Sequence, residues 1–238
     1  EARLMKIAWL SQGFEQKLDS MKKLMTVIIA AAMLLAGTDA FAQFSVSVGY
    51  SHSRTNFKAL GLNLAKARMD GFYGGVTYNI PFARVGTGTL GVAPGLYVSY
   101  MMKPETNLYV VKGDISESYL TVPVDFNLSL PVTDGLRFII FAGPSFSAGL
   151  TSDVKVSAIA DKDLSESIIG TNNDMYDGLI AQKLGYNRFD VLVGGGIGLD
   201  FEDMIRLTVG YDAGMLNRGG NTLQINRNQL HVGLAYLF

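Results

Sequence analysis

The chain has 238 residues, 20 Lys and Arg against 21 Asp and Glu, a net charge of -1, 27 glycines and no cysteine. With its basic residues scattered, that balance gives no electrostatic footprint for nucleic acid. The missing cysteine excludes disulfides, thiolate metal sites, a Cys nucleophile and a lipoprotein anchor.

Residues 1–20, "EARLMKIAWLSQGFEQKLDS", precede a natural-looking start at Met21 and read as an upstream extension outside the fold. From Met21, Lys22 and Lys23 lead into an apolar run that ends in Ala40-Phe41-Ala42. The run from Leu24 to Gly37 is shorter than the roughly 20 apolar residues that span a bilayer, and a small-x-small site follows it. Residues 21–42 are therefore read as a signal peptide cleaved between Ala42 and Gln43, and 43–238 as one domain.

That domain alternates with period two, segment after segment, which is the pattern of strands with unlike faces. In "FSVSVGYS" Phe44, Val46, Val48 and Tyr50 share a face. "GFYGGVTYNI" follows with Phe72, Val76, Tyr78 and Ile80, and "TLGVAPGLYVSYMM" with Leu90, Val92, Leu96, Val98, Tyr100 and Met102. "YLTVPVDFNLSL" sets Leu120, Val122, Val124, Phe126, Leu128 and Leu130 against Thr121, Asp125, Asn127 and Ser129. In "LRFIIFAGPSFSAGL" the alternation is blurred by Ile139 and Phe141. "FDVLVGGGIGLDF", "IRLTVGYDAGM" and the closing "HVGLAYLF" complete a set of eight.

Eight is an even number, and most segments approach the roughly 9 to 11 tilted residues of a membrane-spanning strand. Connections alternate too: short after the second, fourth and sixth segments, long and polar at 53–69, 103–117, 152–187 and 217–223. Such asymmetry belongs to an eight-stranded antiparallel up-and-down transmembrane β-barrel with both termini in the periplasm of a Gram-negative cell. A soluble sandwich or lipocalin-like barrel also alternates, but its outward face is polar. Here the non-apolar face is rich in Gly, Ala and Ser, which suits a narrow lumen. Aromatic side chains gather at strand ends, at Tyr50, Phe72, Phe82, Tyr100, Phe201, Tyr236 and Phe238, where interfacial girdles lie.

Two features complicate the reading. Pro94, Pro123 and Pro144 fall inside strands of a barrel that has no edge, which calls for bulges or positions near a rim. "SDVKVSAIA" alternates well enough to extend the fifth strand or to begin an extra hairpin, leaving ten strands open.

Parity assigns Asp125, Asn127, Asp190, Asp200, Arg206, Asp212, Arg227, Gln229 and His231 to the lumen, as a network of ion pairs and hydrogen bonds that plugs it. The only two histidines, His52 and His231, fall on opposite faces, and no metal site or cofactor is expected. "HSR" at 52–54 places His and Ser side by side, but neighbours on a strand point to opposite faces, so no catalytic group is assigned. "GGGIG" at 194–198 lacks the Lys-Ser/Thr of a phosphate loop and reads as room for bulky lumen side chains on adjacent strands. Asn172, Asn173, Asp174 and Asp177 form an incomplete Ca²⁺-like cluster, read as a solvated loop.

At the C-terminus His231, Gly233, Tyr236 and Phe238 match an order of polar, Gly and apolar residues that resembles the β-signal read by the outer-membrane assembly machinery. "YLTVPVDFNLSL", "FIIFAGPSFSAGL" and "RFDVLVGGGIGLDF" resemble strands of the PorT-like outer-membrane β-barrel family, small barrels of the OmpX and OmpA-membrane-domain type. The resemblance spans roughly residues 43–238 by strand order and pattern. It implies a porin-like fold and an outer-membrane location, with lipid and the assembly machinery as partners. The function expected is non-enzymatic: structural or interaction-bearing through long extracellular loops, as a secretion-associated or adhesion component. The alternatives are a small transport or ligand-uptake barrel and, third, an outer-membrane lipid-modifying hydrolase.

Overall fold

The computed structural model describes residues 44–59, 62–108, 111–159, 174, 176, 187–219 and 223–238. The upstream extension, the signal peptide and the cleavage site at Ala40, Ala42 and Gln43 lie outside the described residues.

Nine strands appear in chain order: β1 (Phe44–Ala59), β2 (Leu62–Tyr78), β3 (Ile80–Val85), β4 (Gly88–Leu108), β5 (Val111–Thr133), β6 (Leu136–Ile159), β7 (Phe189–Phe201), β8 (Ile205–Gly214) and β9 (Leu223–Leu237). All pair antiparallel with their neighbours, and β2 pairs with β4 to close the sheet. β2 and β3 both lie against β4 in one register, Thr77 opposite Gly95 and Ile80 opposite Val92, so they are two halves of a stave interrupted at Asn79. The barrel therefore has eight staves.

Its faces are inverted relative to a water-soluble protein. Val48 is 59 % exposed, Phe126 58 % and Ile197 52 %, while Ser51 and Ser53 are fully buried. Such an exterior is stable only in lipid, where a closed ladder satisfies every backbone group internally. The aromatic residues that mark the strand ends, Tyr50, Phe72 and Tyr100 toward one rim and Phe82, Phe201, Tyr236 and Phe238 toward the other, are all exposed.

Paired residues define the stagger. The register runs His52, Leu230, Tyr211, Gly195, Ala142, Phe126, Val92 and Ile80, and because Tyr78 already pairs with Phe44, one circuit drops ten residues. Eight staves with this stagger tilt by roughly 40° and leave an interior just wide enough for side chains.

Two sequence expectations need correction. The segments 53–69 and 103–117 are not irregular loops: β1 and β2 continue to Ala59 and Leu62, and β4 and β5 to Leu108 and Val111. Ser53, Thr55, Met69 and Glu117 are buried there, so the polar residues of these segments accompany a continuing ladder rather than its loss. "SDVKVSAI" extends β6 to Ile159. Pro94, Pro123 and Pro144, unlike Pro81 and Pro131 at register shifts, sit neither in bulges nor at the rims. Around Pro94, Pro123 and Pro144 the ladder skips pairs, between Pro94 and Tyr97 on β4 and between Pro123 and Phe126 on β5, and resumes in the same register. A missing N–H removes the bond without requiring an extra residue.

The short turn between β7 and β8 has Glu202 and Asp203 both in the left-handed region, φ 50° and 52°, as the central pair of a tight turn closed by the Met204 N–H on the Phe201 carbonyl at 3.0 Å, with three residues between the paired Phe201 and Ile205. At the C-terminus the Phe238 N–H donates to the Phe44 carbonyl at 2.9 Å, and its ring lies 6.1 Å from Phe44 and 4.9 Å from Tyr236. Deleting Phe238 is expected to lower the yield of folded, heat-modifiable barrel in outer membranes. Wild-type yields would remove the assembly role assigned to the terminal strand.

Candidate functional site in the barrel lumen

The lumen is built as a floor, a chamber and a roof. Near the periplasmic end, Arg206 donates from Nε and Nη2 to Asp200 at 2.5 and 2.8 Å across the β7–β8 hairpin. Arg137 Nε donates to Ser129 Oγ at 2.9 Å, and Asn127 Nδ2 to Asn79 Oδ1 at 2.7 Å. Asp200 is 3 % exposed and Asn127 8 %, so these charge-assisted and amide bonds offset the cost of burying them.

Above the floor lies a chamber of about 130 Å³ whose wall includes Asp125, Asp212, Gln229 and His231 together with Tyr73, Tyr97 and Phe141. His231 Nδ1 stands 3.4 Å from Asp212 Oδ2, and its ring stacks 6.3 Å from Phe141. Tyr73 and Tyr97 meet edge to face at 5.6 Å, and the Tyr97 hydroxyl is bonded to Thr77 Oγ1 at 2.6 Å. Small residues opposite make this possible. A Cβ at Gly196 would meet Phe141 Cζ at 2.5 Å, and one at Gly210 would overlap the His231 ring. "GGGIG" thus faces bulky side chains on both neighbouring strands.

The roof closes the extracellular end. Arg227, 1 % exposed, lies 4.0 Å over the Tyr119 ring, donates from Nη2 to Ser147 Oγ at 3.0 Å and holds Asp190 at 3.4 Å. Arg218, also buried, donates to the Asn187 carbonyl at 3.2 Å, the Tyr119 hydroxyl at 3.3 Å and the Tyr176 hydroxyl at 2.9 Å. Burial pushes the Tyr176 phenol up to about 12, so it stays neutral and serves as an acceptor for Arg218. Ser152 donates to Glu117 at 3.1 Å, and Met69, Met101 and Tyr119 form the apolar part of the layer.

All nine polar residues assigned to the lumen by parity are half-buried or buried. They do not form one network: Arg206 pairs with Asp200 at the floor, His231 with Asp212 in the chamber and Arg227 with Asp190 at the roof, while Asp125, Asn127, Gln229 and Arg206 also line the chamber. Gly233, between His231 and Ala235, faces the lumen against Tyr73, while Tyr236 and Phe238 face outward. Tyr119 shares the lumen parity of its strand and was legible from it, whereas Glu117 fell in the segment read as a long connection. Arg218 and Tyr176 come from connections with no period, and nothing in their neighbourhoods signals that they cap the barrel.

Outside, one row above the Tyr50–Phe72 pair, His52 Nδ1 lies 2.7 Å from Asp70 Oδ1, and the Tyr50 hydroxyl donates to the same oxygen. Hydrogen bonds from His52 and Tyr50 hold the Asp70 carboxyl below its usual range. The stability this pair adds is present above the ordinary carboxylate range and is lost as pH falls through the lowered value; with Asp70 60 % exposed, solvent screening keeps it small. Ser53, beside His52 in sequence, is buried on the lumen side. Asp174 accepts the Tyr176 backbone N–H at 2.8 Å, while Asn172, Asn173 and Asp177 lie outside the described residues.

Residues 21–217 match the family model for the outer membrane protein beta-barrel domain. Among solved structures, Ail, the attachment invasion locus protein of Yersinia pestis, is 16 % identical over 83 % of this chain and 99 % of its own, with a TM-score of 0.42. The outer membrane enzyme PagL is 12 % identical over 77 % and 97 %, with a TM-score of 0.41. The outer membrane protein OprG from Pseudomonas aeruginosa is 9 % identical over 83 % and 96 %, also at 0.41. No curated protein matches.

Proposed function

The chain belongs to the outer membrane protein beta-barrel domain family, placing it in the Gram-negative outer membrane, and from that premise we propose that it works by interaction at the cell surface rather than by catalysis or bulk transport. The observation that carries this reading is the contrast between the filled lumen and the strands that continue above the girdle. Pairing between β2 and β4 ends at Asp70 and Met102, yet β2 reaches Leu62 and β4 reaches Leu108. Above that level the wall divides into a β9–β1–β2 sheet and a β4–β5–β6 sheet, each with a strand edge whose backbone groups have no ladder partner among the described residues. Such edges are templates for an added strand.

The partner is a protein or peptide at the outer surface, and within the family the reading is a PorT-like, secretion-associated or adhesion component. Lipid and, during biogenesis, the assembly machinery are its other partners. Cross-linking in intact outer membranes tests this: a protein captured by the wild type is lost when the β1–β2 hairpin is shortened from 57–64, with folded barrel retained. Equal capture by both would overturn it. In planar bilayers the wild type is expected to give no resolved single-channel steps, because roof and floor both obstruct the lumen; reproducible steps would favour the transport alternative.

The hydrolase alternative draws on the outward-facing His52–Asp70 pair, an oriented imidazole at the level of lipid headgroups. Lipid A mass spectra from cells with and without the protein decide it. Identical acyl patterns are expected, and a changed pattern that reverts with His52→Ala would establish an enzyme.

A further inference from the structure

The chamber has a chemistry that surface interaction leaves unused. Its cationic side chains are engaged: Arg206 is held by both carboxylate oxygens of Asp200, and His231 faces Asp212 at 3.4 Å. Asp125, on the same wall, makes no hydrogen bond or ion pair among the described residues. Half-buried in the lumen with His231 nearby, its carboxylate opens onto the chamber, where a cation would be stabilised by it.

The other walls say what kind. Tyr73, Tyr97 and Phe141 bring aromatic surface to the chamber, and aromatic faces attract ammonium groups through their quadrupole. Among the described residues no group of three His, Cys, Asp or Glu is arranged to hold a metal ion. The volume, about 130 Å³, is close to that of cavities that take a benzene-sized solute, on the order of 150 Å³. A neutral solute would leave Asp125 unanswered, and an anion would add to the excess negative charge.

We propose that the chamber binds a small organic ammonium ion, with its charged head at Asp125 and its apolar body against Tyr73, Tyr97 and Phe141. The site is independent of the extracellular strand edges and would give the barrel a ligand of its own.

Calorimetric titration of the folded wild-type barrel in detergent tests this, using n-butylammonium chloride as the probe and 1-butanol as its uncharged counterpart. The ammonium is expected to bind at least about tenfold more tightly than the alcohol, and Asp125→Asn to lose at least about tenfold in ammonium affinity. Heat-modifiable migration confirms that the variant is folded. If Asp125→Asn does not fold, Ala93→Leu, which fills the chamber without touching the charge, is expected to abolish binding. No binding to the wild type, equal binding of the alcohol, or undiminished affinity in the folded variant would overturn the proposal.

Discussion

Replacing Arg227 by alanine is expected to destabilise the barrel by about 3–5 kcal/mol, the cost of leaving a buried partner charge unanswered. Arg227 and Asp190 have side chains only 1 % exposed, and they come from β9 and β7, which are not hydrogen-bonded to each other. The guanidinium also covers the Tyr119 ring and holds Ser147, so its loss opens the roof as well as stranding a carboxylate. Arg227→Met combined with Asp190→Asn should recover much of the loss, because it removes both charges while keeping bulk. Urea titrations followed by heat-modifiable migration measure the series. An Arg227→Ala barrel within about 1 kcal/mol of wild type would mean that the roof is wet, since an exposed pair is worth no more than that.

Valine at Gly75 is expected to cost about 1–3 kcal/mol or more by overpacking, whereas valine at Gly74 should fall within about 0.5 kcal/mol of wild type. The two glycines are adjacent in sequence and opposite in environment. A Cβ at Gly75 points into the lumen, overlaps the Leu96 carbonyl and comes within 2.5 Å of Tyr97 Cδ1, whereas at Gly74 the nearest atoms are 3.7 and 3.9 Å away on the lipid side. Tyr97→Ala should not rescue the Gly75 variant, because the Leu96 backbone remains. Gly210→Ala should be rescued by His231→Ala, since only the imidazole lies closer than 3.0 Å to its Cβ. The same urea assay reads all of these. Equal effects at Gly74 and Gly75 would mean that β2 has the opposite facing.

Much of this fold is legible from alternation alone. Val46 and Val48 against Ser45 and Ser47 already assign lipid and lumen, because one register shift would reverse every side chain on the strand. Asp200 and Arg206 were readable as a pair, being directly opposite across a tight hairpin. The extent of β1, β2, β4 and β5 was not, because the alternation of apolar residues lapses there while the hydrogen-bonded ladder continues. The prolines misled for a related reason: a bulge is the common response to a missing donor, but a skipped pair serves when the flanking ladder holds the register.

By itself, then, the sequence determined the facing of the side chains and the inverted distribution of polarity, because these follow from period two; that the staves number eight rather than ten was decided by the closed ladder. Which lumen residues meet was decided only by the tertiary structure. Arg227 reaches Asp190 two staves away, and Arg218 meets Tyr119 across 99 positions of sequence, through a closed circuit with a ten-residue stagger. Parity carries no record of that stagger. It emerges when eight tilted strands close on one another and the bulky side chains of each find the glycines of the next.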